Sequence, residues 1–580
     1  MPQFDTIIRG GTIVDGTRVP RYKADIGIKN GKIAQIGRLN ASDAAKVIDA
    51  TGLVVAPGFI DLHCHYDAQL HWDPYCTMGS WHGVTSVTNG NCGFGFAPVF
   101  PRDAERAMRS MERNEAIPFR TMQASMAFDW ETFPQWMNHI DRMPLGINIS
   151  QLVPVTPLVA YAMGGFAEAK KRLPNEQEVH KTIQLFHEAM QAGAVGWGAQ
   201  RLFPDSFASV QRDYDGSPMI SDILPDDFYL QMARALGEHN DGCIQLTQAS
   251  AAIHNPERGP KYDFDFNARL SEESGRPVLY NAIAINDKYP EMFRSQLKWV
   301  EEANRKGIQV FAQTASRLAT NLSFTFEDWN LFDNSAVWRD ATLGTLEEKK
   351  AKLANPGIRK AIRDEYDSGT VPIEIFGEVP NYTLISTQSA QYKKYENMTI
   401  KEIAQRENKH VLDAMLDISV ADGLKTEWRT DVINRNENYT REVLNSPYTV
   451  PGVSDGGAHL KFIVAGAYPT ELLTWMVRDA NMISLEEAHF RLSALPAWSA
   501  GFKDRGVLRE GLAADIVVYD LANLKSGPWE VLHDLPANEW RRVVKPEGYR
   551  YIMVNGGVTF EDGKCTGATT GKLLRHGRAA

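Results

Sequence analysis

Along residues 3–56, apolar and polar positions alternate in short runs, FDTIIRGGTIVDG, KADIGIKNGKIAQIG and KVIDATGLVVAPG, broken by Gly-Gly, Asp-Gly and Asn-Gly pairs. A period of two predicts strands, because successive strand side chains point to opposite faces, and these dipeptides supply the positive φ of hairpin turns. The unit is too small to bury a core of its own, and residues 508–568 repeat the pattern. The two ends are therefore expected to pack together as one β-sandwich domain of residues 1–57 plus 505–568, with the rest of the chain inserted between them.

From residue 58 to about 500 the pattern changes: short apolar runs alternate with stretches of helical spacing. Candidate strands are Gly58 to Leu62, Val84 to Thr88, Gly146 to Val153, Ala194 to Gly198, Cys243 to Thr247, Val278 to Asn281, Ile308 to Gln313 and a last one ending at Asp455. Segments such as Glu176 to Gln191 and Asp226 to His239 lie between them with apolar residues at helical intervals. Strand–helix alternation of this kind predicts an α/β fold, a (β/α)8 TIM-like barrel over residues 58–504 with its chemistry at the strand C-terminal ends. Residues 315–450 are too long for one loop and read as an insertion with helices of its own, lid-like over the barrel mouth.

Composition narrows the function. At 580 residues the chain suits one large unit plus a smaller one, and 43% hydrophobic with 23% charged residues is the balance of a soluble globular protein. A net charge of −10 argues against nucleic acid or an anionic membrane as partner. The five cysteines, Cys64, Cys76, Cys92, Cys243 and Cys565, contain no CxxC pair, which argues against a disulfide framework and suits a reducing compartment. No leader-like N-terminus and no long apolar span is seen, so a cytoplasmic location is expected. Homo-oligomerisation is left open.

The chemistry concentrates in residues 57–98. His63 and His65, two residues apart at a strand end, point the same way, and two imidazoles on one rigid face suit a divalent ion such as zinc. A second strand, Val84 to Thr88, runs into Asn89-Gly90-Asn91-Cys92-Gly93, which puts a candidate thiolate ligand, Cys92, at the next strand end. PGFIDLHCH followed by GVTSVTNGNCGFGFAP resembles the amidohydrolase superfamily and, within it, the N-acyl-D-amino-acid deacylase (D-aminoacylase) family. GAVGWGAQRLFPDS at 193–206, VSDGGAH at 453–459, SLEEAHFRLSALPAW at 484–498, DRGVLREGLAADIVVYDL at 504–521 and YIMVNGGVTFEDG at 551–563 extend the resemblance over nearly the whole chain.

The resemblance implies that Asp455 ligates metal and takes a proton from the attacking water. It also implies histidines after two middle strands, where this chain has Gln248 (in Leu246-Thr247-Gln248) and Asn281, and a third near Leu152-Val153-Pro154-Val155. In the family Cys92 and the two absent histidines form the tighter zinc site. Amides are poor zinc ligands compared with imidazole, so one ion, zinc or another divalent metal, is expected on His63, His65 and Asp455, with Cys92 as a fourth candidate. His254 and His459 are nearby histidines that could substitute. Arg201 and Lys461 are candidates to hold a substrate carboxylate, because a guanidinium or ammonium pairs well with one, and Gln248 and Asn281 are further substrate-binding candidates. The expected activity is hydrolysis of a C–N amide bond in a small molecule, an acylated amino acid or related amide. The alternatives are a single-metal member acting on a cyclic amide, ester or C–C bond, and a catalytically silent barrel.

Overall fold

The computed structural model describes residues 2–206, 211–252, 255–314, 322–371 and 376–576. Its centre is a set of parallel strands: β1 (Phe59–Asp61 with His63–Cys64), β2 (Val84–Asn89), β3 (Asn148–Gln151 with Val153–Pro154), β4 (Gly196–Arg201), β5 (Cys243–Gln248), β6 (Val278–Ile283), β7 (Val310–Thr314) and β8 (Thr449–Pro451 with Val453–Gly456). Each pairs in parallel with the next, Phe59 opposite Val84 and Val153 opposite Trp197, and the last returns to the first with Val453 opposite His63. The ladder is thus a mixed α/β ring of strands closed on itself, with helices such as Glu176–Gln191, Asp226–His239 and Pro290–Arg305 between them.

Side-chain alternation separates the two faces of the ring. Ile60, Leu62, Leu152, Val195, Cys243, Leu279, Phe311 and Val450 form one apolar cluster, and only the interior can bring residues from opposite strands together. Their neighbours Ile244, Leu246, Val278, Tyr280, Val310 and Ala312 join the larger cluster against the helices. By the period of two, Gln245, Thr247, Asn281 and Gln313 continue the inward row above that apolar floor. The strand expected at Ala194 to Gly198 begins two residues later: Gly196 has φ +120°, and a Cβ there would lie 1.8 Å from the Cys243 carbonyl oxygen.

Both chain ends meet in one nine-stranded sheet, in which Val54–Pro57 lies antiparallel to Ile516–Tyr519. One part of the expected C-terminal unit departs from it. Lys525–Leu535 and Glu539–Glu547 form a separate hairpin that leans onto the ring, where Arg541 Nη1 donates to the Thr77 carbonyl at 2.8 Å and Arg542 pairs with Glu427. The insertion is also shorter than its expected 315–450 span. Strands Ser323–Phe324, Thr383–Ser386 and Glu427–Arg429 form a small sheet with helices from Ala336–Ala341 to Val411–Ala421, around a core of its own. Helix Glu437–Asn445 instead packs on the ring, with Glu442 bound by Arg294 at 2.7 Å, and Thr449 pairs opposite Ala312. Among the described residues no helix is long and apolar enough to cross a membrane.

His82 sits at the seam of these parts, with Nδ1 2.7 Å from Thr470 Oγ1 and Nε2 2.8 Å from the Val544 carbonyl oxygen. Burial pushes its imidazole down to about 4. Its folded pKa lies below the unfolded value near 6.5, so the unfolded chain takes up the proton first, and the stability from neutral His82 is complete above about pH 6.5 and lost as pH falls towards 4. Asp222 and Asp263, raised to about 6 by burial, pull the other way, so the readout is a difference. The gap in unfolding free energy between wild type and His82→Gln, from urea titrations, is expected to shrink by up to about 3 kcal/mol between pH 7.5 and pH 4. A gap constant with pH contradicts this.

Candidate metal centre

The ends of β1, β2 and β8 bring His63, His65, Cys92 and Asp455 together. One ligand atom from each of His63, His65 and Cys92 lies within 4.8 Å of the others, and all three residues are buried. Asp455 Oδ1 is 3.5 Å from His63 Nε2 and 3.9 Å from His65 Nε2, with its side chain a quarter exposed. The local backbone is built for close approach. Asp455 has φ +46° and Cys92 φ +55°, and a Cβ on Gly457 would lie 2.6 Å from the His65 carbonyl oxygen. Gln313 Oε1 lies 2.9 Å from His63 Nδ1, and its amide nitrogen donates to the Leu62 carbonyl at 3.3 Å. With its amide nitrogen so engaged, Gln313 Oε1 accepts from His63 Nδ1–H and leaves His63 Nε2 facing the other ligand atoms. This set of imidazole nitrogens, sulfur and carboxylate oxygen suits zinc.

Where the resemblance implies further histidines, the structure has a neutral network. Thr247 Oγ1 accepts from Gln245 Nε2 at 3.1 Å and from Asn281 Nδ2 at 3.0 Å, and lies 3.2 Å from Cys92 Sγ. With two N–H donors already on its oxygen, the Thr247 hydroxyl donates to sulfur. Burial pushes the Cys92 thiol well up, and the Thr247 hydrogen bond opposes that. Gln248 is corrected by this geometry. It lies one step out of phase, on the outward face, and its Oε1 accepts from Asn267 Nδ2 at 2.9 Å. Thr247 holds the inward position. Asn281 does face the interior, where its Oδ1 has no partner among the described residues.

The other assignments separate cleanly. Arg201 points out of the ring, where Asp226 binds it at 2.8 Å and the rings of Phe203, Tyr229 and Phe266 enclose it. It is a packed strut between strand and helices, not a group facing the metal donors. Lys461 is only 6% exposed and pairs with Asp328 at 3.1 Å and Glu539 at 3.0 Å, so its charge is already matched. It lines a cleft of about 1190 Å³ between helix Ala104–Glu115, the insertion and the C-terminal hairpin. His254 lies outside the described residues.

One residue that sequence reasoning missed stands beside the imidazoles. Glu115, the last residue of helix Ala104–Glu115, is 2% exposed, and its Oε2 lies 3.6 Å from His65 Nε2 and 3.3 Å from His459 Nε2. His459 was weighed as a nearby histidine and does turn towards the site, through a backbone with φ +48°. No spacing within the sequence links Glu115 to the HxH pair; only the fold of the first long loop does.

The chain is 26% identical over 557 residues to an uncharacterized protein of Mycobacterium tuberculosis, a match covering 90% of this chain and 85% of that one. It is 25% identical over 589 residues to the N-acyl-D-aspartate deacylase of Alcaligenes xylosoxydans xylosoxydans, covering 100% of this chain and 96% of that one. The solved N-acyl-D-glutamate deacylase of Bordetella bronchiseptica, complexed with zinc and a phosphonate inhibitor, matches with a TM-score of 0.67 at 21% identity, covering 99% of this chain and 100% of that chain. Residues 2–58 match the N-terminal domain of the urease alpha-subunit. Residues 46–560 match the amidohydrolase family, and the chain belongs to that family.

Proposed function

We propose that this amidohydrolase is a metal-dependent deacylase of the N-acyl-D-amino-acid type, a (β/α)8 TIM-like barrel carrying a small β-domain made from both chain ends, with one divalent ion, zinc by its donor set, at the strand ends. The observation that carries the reading is the convergence of His63, His65, Cys92 and Asp455 from three separate strand ends on one point. The relatives named for N-acyl-D-aspartate and N-acyl-D-glutamate deacylase support the bond and the substrate class. When bound, the ion supplies Lewis acidity, polarising the scissile carbonyl and acidifying water towards neutral pH. The protein's own part is proton handling and orientation. Asp455, partly exposed beside both imidazoles, accepts the proton of the attacking water and returns it to the leaving nitrogen. Gln313 fixes the ring of His63, and the Thr247 network holds Cys92.

Asp455→Asn keeps the shape and removes the proton acceptor. Turnover on a panel of N-acyl-D-amino acids, measured by release of free amine, is expected to fall by at least about 100-fold with folding unchanged; an active variant removes Asp455 from the role. Gln313→Leu leaves the His63 Nδ1–H without its acceptor. Zinc affinity, read by competition with a chelator, is expected to fall about 10–100-fold, and unchanged affinity contradicts the orienting role.

A further inference from the structure

We propose that Glu115 is itself a ligand to the cation, a carboxylate brought in from the first long loop, and that His459 positions it. The inference rests on the metal-centre reading above and adds a residue that the HxH and SDG motifs do not contain.

Geometry is the first argument. With Glu115 the candidate donors number five, and neighbouring donors on a five-coordinate zinc with bonds of about 2.0–2.1 Å lie roughly 2.9–3.6 Å apart. Glu115 Oε2 stands 3.6 Å from His65 Nε2, the same spacing at which Cys92 Sγ stands from His63 Nε2 and close to the 3.5 Å between Asp455 Oδ1 and His63 Nε2. The carboxylate therefore stands at ligand spacing from His65, one of the donors.

Charge is the second. Glu115 is 2% exposed, and among the described residues its ionic partners are the two imidazoles of His65 and His459, with no lysine or arginine. It is also the last residue of a twelve-residue helix, where the dipole already places negative charge. A buried carboxylate there needs positive charge beside it, which protonated imidazoles or a bound cation supplies.

Packing is the third, because the chain takes trouble to hold it. Ala116, with φ +49°, ends the helix and enters the core of the insertion together with Phe462. The Glu115 carbonyl accepts the His459 backbone N–H. The His459 ring lies against Trp329 at 4.1 Å between centroids and holds its Nε2 3.3 Å from Glu115 Oε2. Helix, insertion and the turn after β8 thus meet on this one side chain, as they would on a ligand whose orientation matters.

The test is titration of metal-free protein with zinc ions alone, read as affinity by chelator competition, alongside the visible spectrum of the cobalt-loaded form. Glu115→Gln is expected to bind zinc at least about 100-fold more weakly and to shift the cobalt bands. His459→Ala is expected to weaken binding about 10-fold, with His459→Gln, which keeps an N–H donor, recovering most of it. Wild-type affinity and an unchanged cobalt spectrum in Glu115→Gln overturn the proposal. Glu115→Asp replaces it if circular dichroism shows the first variant unfolded, with the same two outcomes. His63→Ala separates this from the function itself. If His63→Ala loses zinc while Glu115→Gln does not, Glu115 fails and the deacylase reading stands; if wild type binds no zinc, the metal centre fails and takes the proposal with it.

Discussion

Three imidazoles, of His63, His65 and His459, and two carboxylates crowd one end of a closed strand ring, with no lysine or arginine among the described residues to pair with Glu115 or Asp455. Burial strips water from the Glu115 carboxylate, and the imidazoles of His65 and His459 offset that cost and hold its carboxyl below the usual range. Asp61, on β1 itself, shows burial without an imidazole to offset it: its carboxyl is lifted to about 7 even though Ser454 Oγ and the His63 N–H both donate to it. The proposed divalent cation would add to that compensation, and the surrounding structure is the frame that would fix where it sits.

That frame has several independent parts. The apolar floor of Ile60, Leu152, Leu279, Phe311 and their neighbours closes the ring below the donors and keeps solvent out from that side. Above it the inward row changes from apolar to polar within one or two residues, from Leu279 to Asn281 and from Phe311 to Gln313, so chemistry begins where the floor stops. The nine-stranded sheet of the two chain ends and the Lys525–Glu547 hairpin brace the outside, and the hairpin reaches the insertion through Arg542 and Glu427. The insertion, with a core of its own, touches the site through Trp329 on His459.

Much of this was legible from residue order because strands announce themselves. A period of two and turn dipeptides mark the terminal strands, and the HxH spacing puts His63 and His65 together at a strand end, where the structure has them beside Cys92. The failures have a common physical cause: sequence does not say what a charge or an amide is paired with. Arg201 and Lys461 read as candidates for a substrate carboxylate, and the structure gives them internal carboxylate partners, Asp226 for the first and Asp328 and Glu539 for the second. Gln248 failed by a single step of register, which on a strand turns a side chain from the interior to the helices. Glu115 was invisible because the helix that carries it meets the histidines only in three dimensions. The insertion was placed too broadly because helix Glu437–Asn445 looks the same in sequence whether it covers the insertion or, as here, the ring.

The account stands most directly on the position of one ion, and anomalous diffraction at the zinc edge from zinc-replete crystals measures it. The predicted result is a peak about 2.0–2.1 Å from both His63 Nε2 and His65 Nε2, with an Asp455 oxygen at about 2.0–2.2 Å. No peak between these side chains, or zinc bound only elsewhere, would contradict it.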